Sequence, residues 1–166
     1  MFKKTGIKIR TKKAANKRVA SDTNLDRKSC GILTSTTEEQ KSVIDDFVKS
    51  LTKKGYKVSI LTFSPNKLKE SIDGHFDIKS FDWKGKILSP SLKDFTKTPF
   101  DFLFSINTSS NLSIENVLAL SNAKIRVGAN IDDNNKNLDF VVNMKSQSSL
   151  KDLTANILEY TERITS

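Results

Sequence analysis

The chain has 166 residues, of which 36% are apolar and 28% charged, and a net charge of +9; its mean hydropathy is −0.42. That length holds one domain with a core and is short for two. No run approaches the roughly 18–20 apolar residues of a membrane helix, and no apolar signal-peptide core follows the charged N-terminus. The single cysteine, Cys30, excludes a disulfide framework and a cysteine metal cluster. Together these features predict a cytoplasmic protein with no membrane span.

The charge is unevenly placed. Residues 1–30 carry ten Lys and Arg against two Asp, a balance of +8, while the other 136 residues carry 18 basic and 17 acidic side chains. Residues 1–28 lack a sustained apolar stripe, with Ala14, Ala15 and Val19 lining at most one side of a short helix. They read as a basic arm preceding a domain at 29–166, its charges being Lys3, Lys4, Lys8, Arg10, Lys12, Lys13, Lys17, Arg18, Arg27 and Lys28. The bland alternative is a solvated tail. The functional one is an arm held to phosphates, whose attraction depends on charge and not on sequence. No aromatic residue follows Phe2 among these charges, so the arm itself predicts no base stacking.

The domain opens with a short strand, Ser29–Leu33, followed by TSTTEEQ, where Ser35 with Glu38 or Thr36 with Glu39 has capping-box spacing. Val43, Ile44, Phe47, Val48 and Leu51 then fall on one helical face, and Gly55 supplies the stop. Tyr56–Phe63 is the second strand. Lys67–Ile72 makes at most two helical turns, and Phe76–Trp83 alternates as a half-exposed strand or extended loop does. Ser89-Pro90 starts a helix with Leu92 and Phe95 inward, which Pro99 ends.

Phe100–Ile106 is nearly continuously apolar, the pattern of a strand buried on both faces. Leu112–Ala123 has helical spacing, and Lys124–Val127 returns as a strand closing at Gly128. A polar loop, ANIDDNNKN, precedes the last strand, Leu138–Met144. Ser148 or Ser149 caps a final helix striped by Leu150, Leu153, Ile157, Tyr160 and Ile164. The alternation predicts a three-layer α/β sandwich, Rossmann-like, with a mostly parallel sheet.

The segment FDFLFSINTSSNLSIENVLALSNAKIRVG, with Phe100-Asp101 before the strand, Ala119-Leu120-Ser121 leading to Ala123-Lys124, and a strand closing on Val127-Gly128, resembles a family of uncharacterised short Bacteroidota proteins. FDWKGKI at 81–87 resembles that family's aromatic-Gly-Lys segment. The resemblance covers roughly residues 29–164 and brings no catalytic residues. The same stretch is also similar to the N-terminal, Rossmann-like half of lipopolysaccharide heptosyltransferases, which hold the donor sugar chiefly through their other half. That likeness implies the fold. The Gly-rich turn of those enzymes is absent, TSTTEEQ standing in its place.

No complete catalytic set is present. Gly85-Lys86 lacks both the earlier glycine and the following Ser/Thr of a P-loop, and no G-x-G-x-x-G occurs. His75, the only histidine, reads as a turn residue beside Gly74. Asp132, Asp133, Asn134 and Asn135 lack the glycine and the twelfth-position Glu of a calcium hand. Asp101 reads as the partner of a helix end, with a place in the lining of a cleft as the alternative.

Two groups remain. Trp83 between Lys84 and Lys86 has the chemistry to stack on a base while the lysines meet phosphate; the bland reading is a Trp capping the core edge over a turn at Gly85. Thr34 and Ser35 with Asn107 and Thr108 fall at the carboxyl ends of two strands, where doubly wound sheets hold small ligands.

The sequence therefore predicts a non-catalytic α/β module without metal or cofactor. Its basic arm tethers it to RNA, on a ribosome (through ribosomal RNA) or another ribonucleoprotein, with a protein partner as a further possibility. The alternative is a glycosyltransferase-like half-domain that binds a nucleotide or sugar phosphate, alone or with a partner chain. A membrane-surface protein held by the arm is the weakest reading, for want of apolar residues to insert. Deleting residues 1–28 is expected to cost under about 1 kcal/mol of stability, as for a surface change.

Overall fold

A computed structural model describes residues 2–17, 28–35, 40–70, 72–109, 111–131, 136–145 and 148–165. Among the described residues six strands form one sheet: β1 (Ser29–Thr34), β2 (Lys57–Phe63), β3 (His75–Phe76), β4 (Phe102–Ile106), β5 (Ile125–Ala129) and β6 (Phe140–Val142). Their order is β3-β2-β1-β4-β5-β6 and every pairing is parallel. The helices are α1 (Phe2–Lys17), α2 (Lys41–Lys53), α3 (Pro90–Lys97), α4 (Leu112–Leu120) and α5 (Leu150–Thr165). This is the expected Rossmann-like α/β sandwich.

Strand alternation sorts the core into two clusters. Phe102, Phe104 and Ile106 of β4 point to the α2–α5 face, with Cys30, Ile32, Ile125 and Val127 beside them and Ile44, Phe47, Leu51, Leu153 and Ile157 above. Phe104 meets Phe47 edge-on at 5.5 Å and stacks on Phe102 at 5.5 Å. Leu33, Leu61, Phe63 and Leu103 point the other way, under Leu92 and Phe95 of α3 and Ile114, Val117 and Leu118 of α4. The crossovers after β1 and β4 thus run to opposite faces, which makes the β1/β4 boundary the topological switch point.

Local chemistry sets the helix ends. Ser89 Oγ accepts from the Leu92 amide ahead of Pro90, Asn111 Oδ1 accepts from Ser113 and Ile114, and Gly55 stops α2 at φ +91°. Ser149 and Asp152 cap α5 reciprocally. Of the capping box expected before α2, Ser35 is described while Thr36, Glu38 and Glu39 lie outside the described residues, as do residues 132–135 of the polar loop.

Several expectations are corrected. The segment 67–72 forms no helix among its described residues. Only His75 and Phe76 of the 75–83 stretch join the sheet; Asp77 then caps a 3-10 turn at Ile78–Ser80, and Phe81 pairs with Ile87 in an isolated antiparallel bridge. Ser59 and Ile60 of β2 are exposed, one on each face of the sheet, while Leu61 and Phe63 further along the strand are buried. Helix α4 ends at Leu120, where Ser121 Oγ takes the Ala123 amide and turns the chain toward β5.

The largest difference is at the N-terminus. Residues 2–17 form a helix packed against α4, and Ile7 is fully buried within the α3–α4 core cluster. Residue 28 is therefore not the start of the packed structure. Removing the segment takes away a core isoleucine, worth about 1.5–3 kcal/mol of burial, so the small cost expected for deleting it is corrected.

Candidate nucleic-acid interface

Few of the described side chains of helix α1 are apolar and buried. Ile7, Thr11 and the half-buried Ala14 recur at i, i+4 and i+7 and make a narrow stripe. Thr11 Oγ1 donates to the Ile7 carbonyl at 2.8 Å and accepts from Asn116 Nδ2 of α4 at 3.1 Å, both within the protein interior. At Gly6 the contact is backbone on backbone. A Cβ on Gly6 would lie 2.5 Å from the Trp83 oxygen and the Lys84 carbonyl carbon, and one on Gly85 would lie 2.5 Å from the Gly6 carbon and the Ile7 nitrogen. Gly85 also stands at φ +80°, which side chains rarely adopt.

The turn that receives Gly6 is tightly bonded. Asp82 Oδ1 accepts from the Lys84 amide at 2.9 Å and the Lys86 amide at 2.8 Å. The Asp82 amide donates to the Lys86 carbonyl at 2.8 Å, and the Gly85 amide donates to the Asp82 carbonyl at 3.0 Å. From α1, Arg10 Nε donates to the Lys84 carbonyl at 3.1 Å. Trp83 does not cap the core edge: it is 65% exposed, with Lys84 Nζ 4.9 Å from its ring centroid.

The arm and the Trp83–Lys86 segment, separate in the sequence, therefore adjoin. Lys4, Lys8 and Arg10 are exposed on α1, Lys3 is half-buried, and Lys84 and Lys86 are exposed on the turn. Lys12, Lys13 and Lys17 lie on α1, their side chains outside what is described, and Arg18 and Arg27 lie outside the described residues altogether. Lys28 stands apart from α1 in the chain's course: left-handed at φ +45°, it accepts the Lys57 amide through its carbonyl at the entry to β1. Sequence reasoning missed Gly6, Ile7, Thr11 and Asn116. The available signal was a glycine in mid-helix, costing about 1 kcal/mol against alanine, beside an i, i+4, i+7 triplet.

The second expected group also comes together. Ser35 donates to Asn107 Oδ1 from its amide at 2.9 Å and from its hydroxyl at 3.3 Å. Asn107 Nδ2 donates to the Leu33 carbonyl at 3.1 Å and Ser105 Oγ at 2.9 Å. Thr34 Oγ1 donates to the Ile106 carbonyl at 2.9 Å, and Thr108 is exposed. The Asn107 amide is thus engaged at both ends in stitching β1 to β4 across the switch point.

Asp101 is buried 3.6 Å from Lys124 Nζ, at the entries to β4 and β5 and not at a helix end. Burial first, and the Asp101 charge second, push the Cys30 thiol up to about 12. Cys30 is therefore expected to resist a disulfide reagent at pH 8 until the protein unfolds; rapid labelling of the native protein would contradict its placement. Burial raises the Glu115 carboxyl above its usual range, opposed by the hydrogen bond from Asn137 Nδ2 at 2.7 Å and by Arg126. Among the described residues no group of three or more His, Cys, Asp or Glu is placed to hold a metal ion, and no helix is long and apolar enough to cross a membrane. His75, at the start of β3, lines a cavity of about 300 Å³ with Lys69, Lys79, Ser80 and Ser89. The Asp77 carboxylate beneath it is occupied by the amides of Leu68 and Lys79.

Residues 3–164 match the sequence model of DUF6913, a family of unknown function, so the matched region takes in α1. No curated protein and no solved structure matches the chain.

Proposed function

The chain belongs to the DUF6913 family of unknown function, so its role is read from its own surface, and we propose that it is a non-catalytic α/β module whose N-terminal helix and 82–86 turn form one RNA-binding surface. The setting is a ribonucleoprotein, the ribosome first among them, in the cytoplasm. The observation that carries the reading is the Gly6–Gly85 contact, reinforced by Arg10 on the Lys84 carbonyl, which joins the basic helix to the Trp83-Lys84-Gly85-Lys86 turn. A folded scaffold then presents cations at fixed spacing to a phosphate backbone. The engagement of Asn107 within the protein weighs against the nucleotide-pocket alternative.

The test is the salt dependence of RNA binding by the full chain. Each phosphate contact to a single strand contributes about −0.7 to the slope of log K against log salt. Replacing Lys4, Lys8, Lys84 and Lys86 together by glutamine should make that slope shallower by about 3 and leave the melting temperature within a few degrees, since all four are exposed. Wild-type protein should sediment with ribosomes at low salt and the variant should not. An unchanged slope, or no sedimentation of either protein, would overturn the reading.

A further inference from the structure

We infer that Trp83 is a stacking platform for an unpaired base, which makes this surface selective for single-stranded over duplex RNA; the inference rests on the RNA-binding reading above. An indole left 65% exposed is costly in water, and here it stands on a backbone held by hydrogen bonds and close packing. The Asp82 carboxylate ties both Lys84 and Lys86, Gly85 is fixed in the left-handed region, and α1 presses on the backbone of residues 83–85. A platform ordered before its ligand arrives loses little entropy on binding. The flanking charge is complementary to one occupant, a nucleotide: Lys84 Nζ sits 4.9 Å from the ring centroid, Arg10 is anchored on the Lys84 carbonyl, and Lys86 closes the same turn. A base that stacks on the indole carries its phosphate to within reach of these cations. In a duplex the faces of interior bases are covered by their neighbours, so the cations still find phosphates but the indole finds no partner.

The chain has one tryptophan, so its intrinsic fluorescence reports Trp83 alone. Full-length protein is titrated with a 12-nucleotide single-stranded RNA of mixed sequence, with the blunt duplex of that sequence, and with vesicles of neutral and anionic phospholipid. Quenching is expected with the single strand and not with the duplex, although both bind by anisotropy. Trp83→Ala should weaken single-strand binding about tenfold, the scale of one stacked base, and leave duplex binding within about twofold; Trp83→Phe should restore most of the loss. Binding of both RNAs without quenching, or an equal loss for both in Trp83→Ala, overturns the platform and leaves the basic surface standing. Absence of binding to either RNA overturns the RNA-binding reading as well. A blue shift on anionic vesicles with no response to RNA replaces both with a membrane-surface role. Because Trp83 is exposed, circular dichroism of Trp83→Ala should match the parent, and a change there with equal loss on both RNAs counts against the platform.

Discussion

Replacing Gly85 by alanine is expected to unseat α1 and to cost about 3.5–6 kcal/mol, a fall in melting temperature of roughly 10–20 °C for a domain of this size. Two effects add. The new Cβ would sit 2.5 Å from backbone atoms of Gly6 and Ile7, which have no flexible end to move aside. It would also sit on a residue at φ +80°, at about 1–2 kcal/mol for a non-glycine residue. The clash is bounded, because the helix escapes it by undocking. What is then lost is the burial of Ile7, about 1.5–3 kcal/mol, and the Thr11–Asn116 hydrogen bond, about 1 kcal/mol. Gly6→Ala meets the same clash from the other side, but the freed helix regains about 1 kcal/mol of helical propensity, so its net cost should be smaller. The double variant should be no less stable than Gly85→Ala alone, a sub-additivity that marks one shared contact. Melts of the four proteins measure this. Full additivity, or a Gly85→Ala protein within about 0.5 kcal/mol of the parent, the size of an ordinary surface change, would show that the glycine pair does not hold the helix.

The same contact explains why the N-terminus was illegible as structure. Most helices are betrayed by their apolar face. Here α2 shows Ile44, Phe47 and Leu51, α3 shows Leu92 and Phe95 behind Ser89-Pro90, and α5 shows Leu150, Leu153 and Ile157. Among its described side chains helix α1 buries one isoleucine and one threonine, and at Gly6 it is seated by close backbone approach. Periodicity measures what side chains supply and is blind to close backbone approach. The central strands were legible because β4 is flanked by strands and covered on both faces, which demands the unbroken run Phe102–Ile106. Strand β3 was not, since two residues at a sheet edge carry no pattern, and the alternation at 76–83 belongs to a turn and a bridge instead. For the candidate interface, the charges and Trp83 were visible one by one. Their adjacency was not, because nothing local relates Gly6 to Gly85.

A charged residue inside β5 was equally hidden, and removing it should have the other large effect. Arg126 is 1% exposed. Its Nη1 donates to the Leu118 carbonyl at 2.7 Å, its Nε lies 3.6 Å from Asp139 Oδ2, and its amide donates to that same oxygen at 2.8 Å. Leu118 lies in the last turn of α4, where its carbonyl also accepts the Ser121 amide at 3.3 Å and the helix dipole favours a cation. The guanidinium thus joins the end of α4, strand β5 and the loop before β6. Arg126→Ala should cost about 3–5 kcal/mol, since it opens a cavity and withdraws the cation from groups arranged around it. Arg126→Met keeps the volume and loses the desolvation cost, while Asp139 retains access to water, so it should cost roughly half as much. Glu115 supplies a pH signature. Burial already raises its carboxyl and Arg126 opposes that rise, so either substitution raises it further. A folded-state value above the unfolded one gives stability that is present at low pH and lost as pH rises through the folded value. The deficit of both variants should therefore shrink as the pH is lowered from neutrality into the carboxyl range. Equal costs for alanine and methionine would assign the loss to charge alone. A deficit that grows on acidification would remove Glu115 from the account, and an alanine variant as stable as the parent would deny Arg126 its structural role.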